Sequence, residues 1–227
     1  MNTVIDIKPN SKRNQLFTLW LGAGLLFLSV LLNSLYFEQA KFVLLFLTFI
    51  AIVTLFIGVL KRNEPNISYS ISKEKITYHH RCGELNLYWQ NIERIATITS
   101  EVNIEAIQLP FVAIKLKDIN KLVNNVSARL ANRLIHEQKT LIALAVKNGY
   151  LSIEKAIINF DAYEYKDSNG QTKTIKGPIA AWLHRCEALH QAYGFHIFLP
   201  EDSIDRELAQ FVVLLTDCQR HVLEKTI

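Results

Sequence analysis

Two pairs of soft ligands occupy positions that a helix would bring to one side: Cys186 with His190, and Cys218 with His221. Spacings of four and three residues put each pair one helical turn apart on a common face. Zinc takes thiolate sulfur and imidazole nitrogen, so Cys186, His190, Cys218 and His221 make a metal site the first chemistry to weigh. A third group, His79-His80-Arg81-Cys82, gathers ligand types at a turn and would serve a reactive thiol as well as a metal. The surrounding spacing argues against both. There is no CxxC, HExxH, GxSxG elbow or P-loop. Glu201, Asp202 and Asp205 cluster where a helix begins, and compensation of the helix dipole accounts for them. The expectation is a non-catalytic protein without a cofactor. A metal-binding enzyme or sensor using the Cys/His pairs is the alternative.

Those residues must be positioned by a chain of unusual layout. Two apolar runs, Leu16–Phe37 with 22 residues and Phe42–Leu60 with 19, contain no Asp, Glu, Lys, Arg or His. A bilayer core about 30 Å thick needs roughly 20 helical residues to cross. The chain therefore reads as residues 1–15 of N-terminal segment, a transmembrane hairpin over 16–60, and a domain from 63 to 227. A cleaved signal peptide would have a shorter apolar core and no second run behind it. Without an intramembrane acid or base there is no proton relay to propose. Gly22-Ala23-Gly24 offers a small-residue patch for close helix approach.

Charge orients the hairpin. Lys8, Lys12 and Arg13 precede the first run and Lys61 and Arg62 follow the second, whereas the connector Glu38-Gln39-Ala40-Lys41 holds one Lys against one Glu. The positive-inside rule puts both termini in the cytoplasm, with Lys12, Arg13, Trp20, Lys61 and Arg62 at the membrane interface. The expected location is a bacterial inner membrane, crossed twice. From Lys61 onward the chain has 21 basic and 19 acidic residues: the totals of 25 and 21, less Lys8, Lys12, Arg13, Lys41 and Asp6, Glu38. That balance, with no basic block, disfavours nucleic acid. Three cysteines, Cys82, Cys186 and Cys218, suit a reducing compartment.

The domain reads as α+β. Ile67–Ile71, Lys75–His79 and Leu85–Trp89 alternate apolar and polar residues, the period of half-buried strands. A less regular strand follows around Ile92, Ile95 and Ile98, then Phe111–Leu116. From Ile119 to Lys147 there is neither Pro nor Gly, and Leu122, Val126, Leu130 and Leu134 predict one helical stripe. Residues 162–166 and 171–175 flank Asp167-Ser168-Asn169-Gly170 as a hairpin. Pro178 and Gly194 bracket a helix over Ile179–Tyr193. After a strand at Phe195–Leu199, Asp202 or Ser203 is expected to cap a last helix. Its stripe of Ile204, Leu208, Phe211, Leu215, Cys218 and Val222 should pack on a sheet.

Two segments carry a family likeness. Ile67–Asp118, with Trp89-Gln90-Asn91-Ile92-Glu93-Arg94-Ile95 and then Phe111–Asp118, resembles the N-terminal sheet of bacterial pleckstrin-homology-like domains. There a Trp closes the third strand and an acidic residue follows two on; here Asn91 stands in its place. Phe195-His196-Ile197-Phe198-Leu199-Pro200 resembles the last strand before the capping helix, which makes residues 121–194 an insertion. The whole chain, including Lys176–Cys186, resembles an uncharacterised proteobacterial family of two-span inner-membrane proteins known as a domain of unknown function. The resemblance implies a barrel-like sheet used for binding and brings no catalytic residue. Expected partners are the lipid bilayer and a protein partner or a second copy. Tyr69, Tyr78 and Tyr88 are the expected binding face, with Trp89 in the core.

Overall fold

Ile5-Asp6-Ile7 is only three residues long, and it is a strand. In the computed structural model, which describes residues 4–10, 14–62, 65–102, 105–167 and 170–224 and, within these, leaves out the side chains of 37, 39, 101, 102 and 105, β1 (Ile5–Ile7) pairs antiparallel with β2 (Tyr69–Ile71). Ile7 faces Tyr69 and is fully buried. Of the residues expected to form a separate N-terminal segment, Ile5–Ile7 thus pair with the domain that follows the apolar runs. By internal contacts the chain divides into a unit of residues 1–8 with 67–227 and a second of residues 9–66.

The second unit is a single helical run, α1 (Gln15–Arg62), broken at Tyr36 and Ala40, where φ turns to −127° and −134°. Its arms, Gln15–Tyr36 and Ala40–Arg62, are each long and apolar enough to cross a membrane. Small residues let them touch. A Cβ on Gly22 would lie 2.7 Å from the Leu55 backbone nitrogen, and one on Gly58 would lie 2.9 Å from Leu19. Ser29 and Thr48 hydrogen-bond across the arms, and Ala51 is fully buried. The patch at residues 22–24 works through Gly22 alone, since nothing approaches Gly24.

In the first unit β1, β2, β3 (Lys75–His80) and β4 (Gly83–Tyr88) form one antiparallel sheet in that order. β5 (Ile92–Val102) and β6 (Glu105–Leu116) form a long hairpin, and β9 (Ile197–Pro200) adds to β6. Alternation on β6 and β9 feeds two cores. Val112, Ile114, Ile197 and Leu199 point into the larger one, Ala113 and Phe198 into the smaller. Both faces of these strands are therefore covered, which explains their near-continuous apolar sequence. α6 (Leu208–Glu224) packs on β5 and β6, and Leu208, Phe211 and Leu215 are its buried stripe.

Between β6 and β9 lie α2 (Ala128–Glu137), α3 (Lys139–Lys147), α4 (Ile153–Ala156), the hairpin β7 (Tyr163–Lys166) and β8 (Thr172–Ile175), and α5 (Pro178–Tyr193). The single helix expected over 119–147 is corrected here. Leu122 sits in a 3-10 turn and Val126 bridges Leu85, because the Ser127 side chain accepts the Leu130 N–H and starts α2 only there. The capping expectation for α6 is corrected too. Ser203 lies in a 3-10 turn ahead of the helix, where its hydroxyl meets Tyr69. α5 runs from Pro178 at its first turn to Gly194 at φ 79°, the left-handed position that favours glycine.

Candidate functional site

α5 carries an arginine where its pattern calls for an apolar residue. Position 185 falls three after Trp182 and four before Leu189, both fully buried, and Arg185 itself is only 6% exposed. α5 packs against α2, α3 and β7, and little of Arg185 is left accessible to water. Its Nη1 donates to the Ala156 carbonyl at 3.0 Å, closing the end of α4. No carboxylate among the described residues lies within ion-pair distance of it. Burial lowers its proton affinity from the ordinary arginine value, yet a guanidinium keeps its charge in any protein setting.

Arg185 opens onto a cavity of about 360 Å³ between α4 and α5, bounded also by Lys155, Ile157, Asn159, His184 and Glu187. Lys155 Nζ donates to Gln191 Oε1 at 2.9 Å. The Tyr163 hydroxyl donates to Glu187 Oε1 at 2.7 Å, and burial together with that carboxylate pushes the phenol up. The Tyr163 ring meets His184 edge-on at 5.1 Å. His184 Nε2 is buried without a hydrogen-bond partner. The wall thus holds a guanidinium that has no carboxylate within ion-pair distance among the described residues, with Glu154 and Glu187 farther along the lining.

The metal set does not assemble. Among the described residues, which include Cys186, His190, Cys218 and His221, no group of three His, Cys, Asp or Glu could hold an ion. Cys186 is fully buried in the larger core, and burial pushes its thiol well up. His190 stacks on His196 with centroids 4.0 Å apart. Cys218 packs against the core from α6 and its thiol is also raised by burial. The turn histidines are engaged elsewhere. His79 meets Glu84 and Ser70, and His80 accepts the Cys82 N–H and faces Glu137.

The tyrosine face is corrected as well. Tyr69 and Tyr78 stack at 5.0 Å inside the core, because β2 and β3 turn those positions inward. Burial pushes the Tyr69 phenol well up. Only Tyr88 remains exposed, with Lys75 Nζ 5.9 Å from its ring centre. Trp89 is fully buried and donates to the Ser72 carbonyl at 2.8 Å. Of the interface residues, Trp20 is exposed on the first arm, and Lys61 and Arg62 close the second. Lys12 and Arg13 lie outside the described residues, as do Asn63, Glu64 and the turn residues Ser168 and Asn169.

A family model described as a protein of unknown function (DUF2982) matches residues 69–221. The chain belongs to that family. The DUF2982 match runs from β2 into α6 and takes in both α4 and α5, so the cavity lies wholly within it. No curated protein and no solved structure matches the chain.

Nothing in the sequence motifs marks Arg185 or His184. The available signal was a lone cation on the buried stripe of α5, in the step from Trp182 to Leu189.

Proposed function

We propose that this DUF2982 protein is a membrane-anchored, non-catalytic binding module on the cytoplasmic face of a bacterial inner membrane. The observation that carries this reading is the pairing of β1 with β2. The strand before α1 and the strand after it are neighbours in one sheet, so α1 leaves and re-enters the domain at adjacent points. A hairpin crossing twice keeps both ends on one side; a single crossing would tear the sheet. The arms support it further, being mostly exposed and apolar, with Lys61 and Arg62 at the outer end of the second.

The pleckstrin-like reading of the domain belongs to the same proposal. It draws support from a four-stranded sheet, β1 to β4, a three-stranded sheet, β5-β6-β9, and a terminal helix packed on the second. In such a module the ligand is bound, not transformed. Tethering raises the local concentration of anything at the membrane, so weak contacts suffice. Membrane fractions from cells producing the full chain provide the test. The protein should stay in the pellet after a carbonate wash and enter solution only with detergent; release by carbonate alone removes the anchor and the reading with it.

A further inference from the structure

We propose that the cavity between α4 and α5 is a phosphate site, in which Arg185 holds the oxyanion of a phosphate ester. This deepens the binding-module reading by naming the ligand chemistry, and it rests on that reading only for a lipid source of the ligand.

Two features point to it. The first is Arg185, nine-tenths buried, with one N–H on the Ala156 carbonyl and no carboxylate partner among the described residues. A buried cation without a counter-charge is costly. Its remaining N–H groups form the planar fork that matches phosphate oxygens in pairs. The second is the cavity, about 360 Å³, which exceeds a bare phosphate and sits at the small end of small-molecule sites.

The remaining wall narrows the class. Lys155 adds a second cation, its ammonium donating one N–H to Gln191 Oε1. Glu154 and Glu187 also line the cavity, and Glu187 is occupied by Tyr163. Two carboxylates beside two cations disfavour a polyphosphate and suit one phosphate on a body bearing hydroxyl or amine groups. The segment that roofs the cavity is apolar outward: Ile153, Ile157 and Phe160 are each about 70% exposed. Such a rim suits the glycerol and upper acyl carbons of a phospholipid, in a chain that carries two membrane-length helices.

Full-length protein in a neutral detergent provides the test. Its thermal unfolding midpoint is followed against inorganic phosphate, and separately against dihexanoyl phosphatidylglycerol and dihexanoyl phosphatidylethanolamine, with chloride at matched ionic strength as the reference. Both kinds of probe should raise the midpoint with saturation. R185Q should weaken the apparent affinity at least tenfold, and R185K less. Ala188→Leu, which narrows the cavity while keeping the arginine, should weaken it as well, so the outcome does not hang on R185Q folding. Short-chain phospholipid acting at tenfold lower concentration than phosphate assigns a lipid headgroup; equal potency assigns a soluble phosphate ester. No saturable shift with either probe, or shifts unchanged in both R185Q and A188L, overturns the site. A chain that resists carbonate yet shows no shift loses this inference alone. One that dissolves in carbonate yet binds phosphate through Arg185 loses the anchor alone.

Discussion

Ile7 of β1 pairs with Tyr69 of β2 across a sheet although the whole of α1 lies between them in the chain. Both residues are fully buried in the larger core. The domain therefore closes only when the segments before and after the hairpin meet, and hairpin topology and domain stability are coupled.

Ile7→Ala should cost about 2–5 kcal/mol, the range for truncating a buried aliphatic side chain. Ile5, on the same face but 41% exposed at the end of the strand, should tolerate Ala within about 0.5 kcal/mol. Denaturant unfolding of the full chain in detergent, followed by tryptophan fluorescence, measures both. Equal effects at the two positions would remove β1 from the folded core.

The arms of α1 meet at Gly22 and Gly58, not at Gly24. Gly22→Leu should force the arms apart, because the added Cβ would already lie 2.7 Å from the Leu55 backbone. Gly24→Leu should be silent. With cysteines at Ser29 and Thr48, which touch in the native hairpin, disulfide formation should fall in the Gly22 variant and persist in the Gly24 variant.

Acid should destabilise the domain in two stages. His196 is held neutral down to about 4, mainly by burial and then by the neighbouring His190 and Lys115, against an ordinary value of 6.5. Above 6.5 neither state binds this proton and the contribution is whole. Between 6.5 and 4 only the unfolded chain takes it up, so stability falls as pH falls and the loss is complete below 4. Glu137 acts lower. Burial raises its carboxyl, but the hydrogen bond from His80 and the Arg133 guanidinium outweigh that and leave it below the usual value. Its contribution is present above the ordinary carboxylate range and is lost as pH drops through it. Unfolding midpoints across this range, with the His196 ring followed by NMR, check the order of the stages.

Cys186 should resist labelling in the folded chain while Cys82 and Cys218, both half-buried, react first. Elemental analysis of purified protein should find zinc far below one per chain. Stoichiometric zinc lost on Cys186→Ser would restore the metal reading.

The sequence makes some of this legible and hides the rest for physical reasons. The two arms declare themselves because each is a long uncharged apolar run, of the length a membrane crossing needs. The β3–β4 and β7–β8 hairpins are visible through alternation and turn chemistry, and α5 through Pro178 and Gly194. β1 is hidden because three residues carry too little period, and its partner lies beyond α1. The stripe from Leu122 to Leu134 marks burial correctly but not helix, since Ser127 captures a backbone N–H and restarts the chain. Tyr69 and Tyr78 look like an amphipathic face until Ser203 arrives from the far end of the domain to meet one hydroxyl. Arg185 reads as an ordinary charged helix position; only the packing around α5 makes it a buried cation.

Sidedness tests the central claim most directly. In a cysteine-free background, single cysteines at Val4, Glu38 and Tyr150, all exposed, are treated in spheroplasts with a membrane-impermeant maleimide. Cysteine at Glu38 should label from outside. Those at Val4 and Tyr150 should label only after the membrane is opened. Labelling of position 4 without position 150, or of all three alike in intact spheroplasts, would contradict a hairpin whose two ends share one cytoplasmic domain.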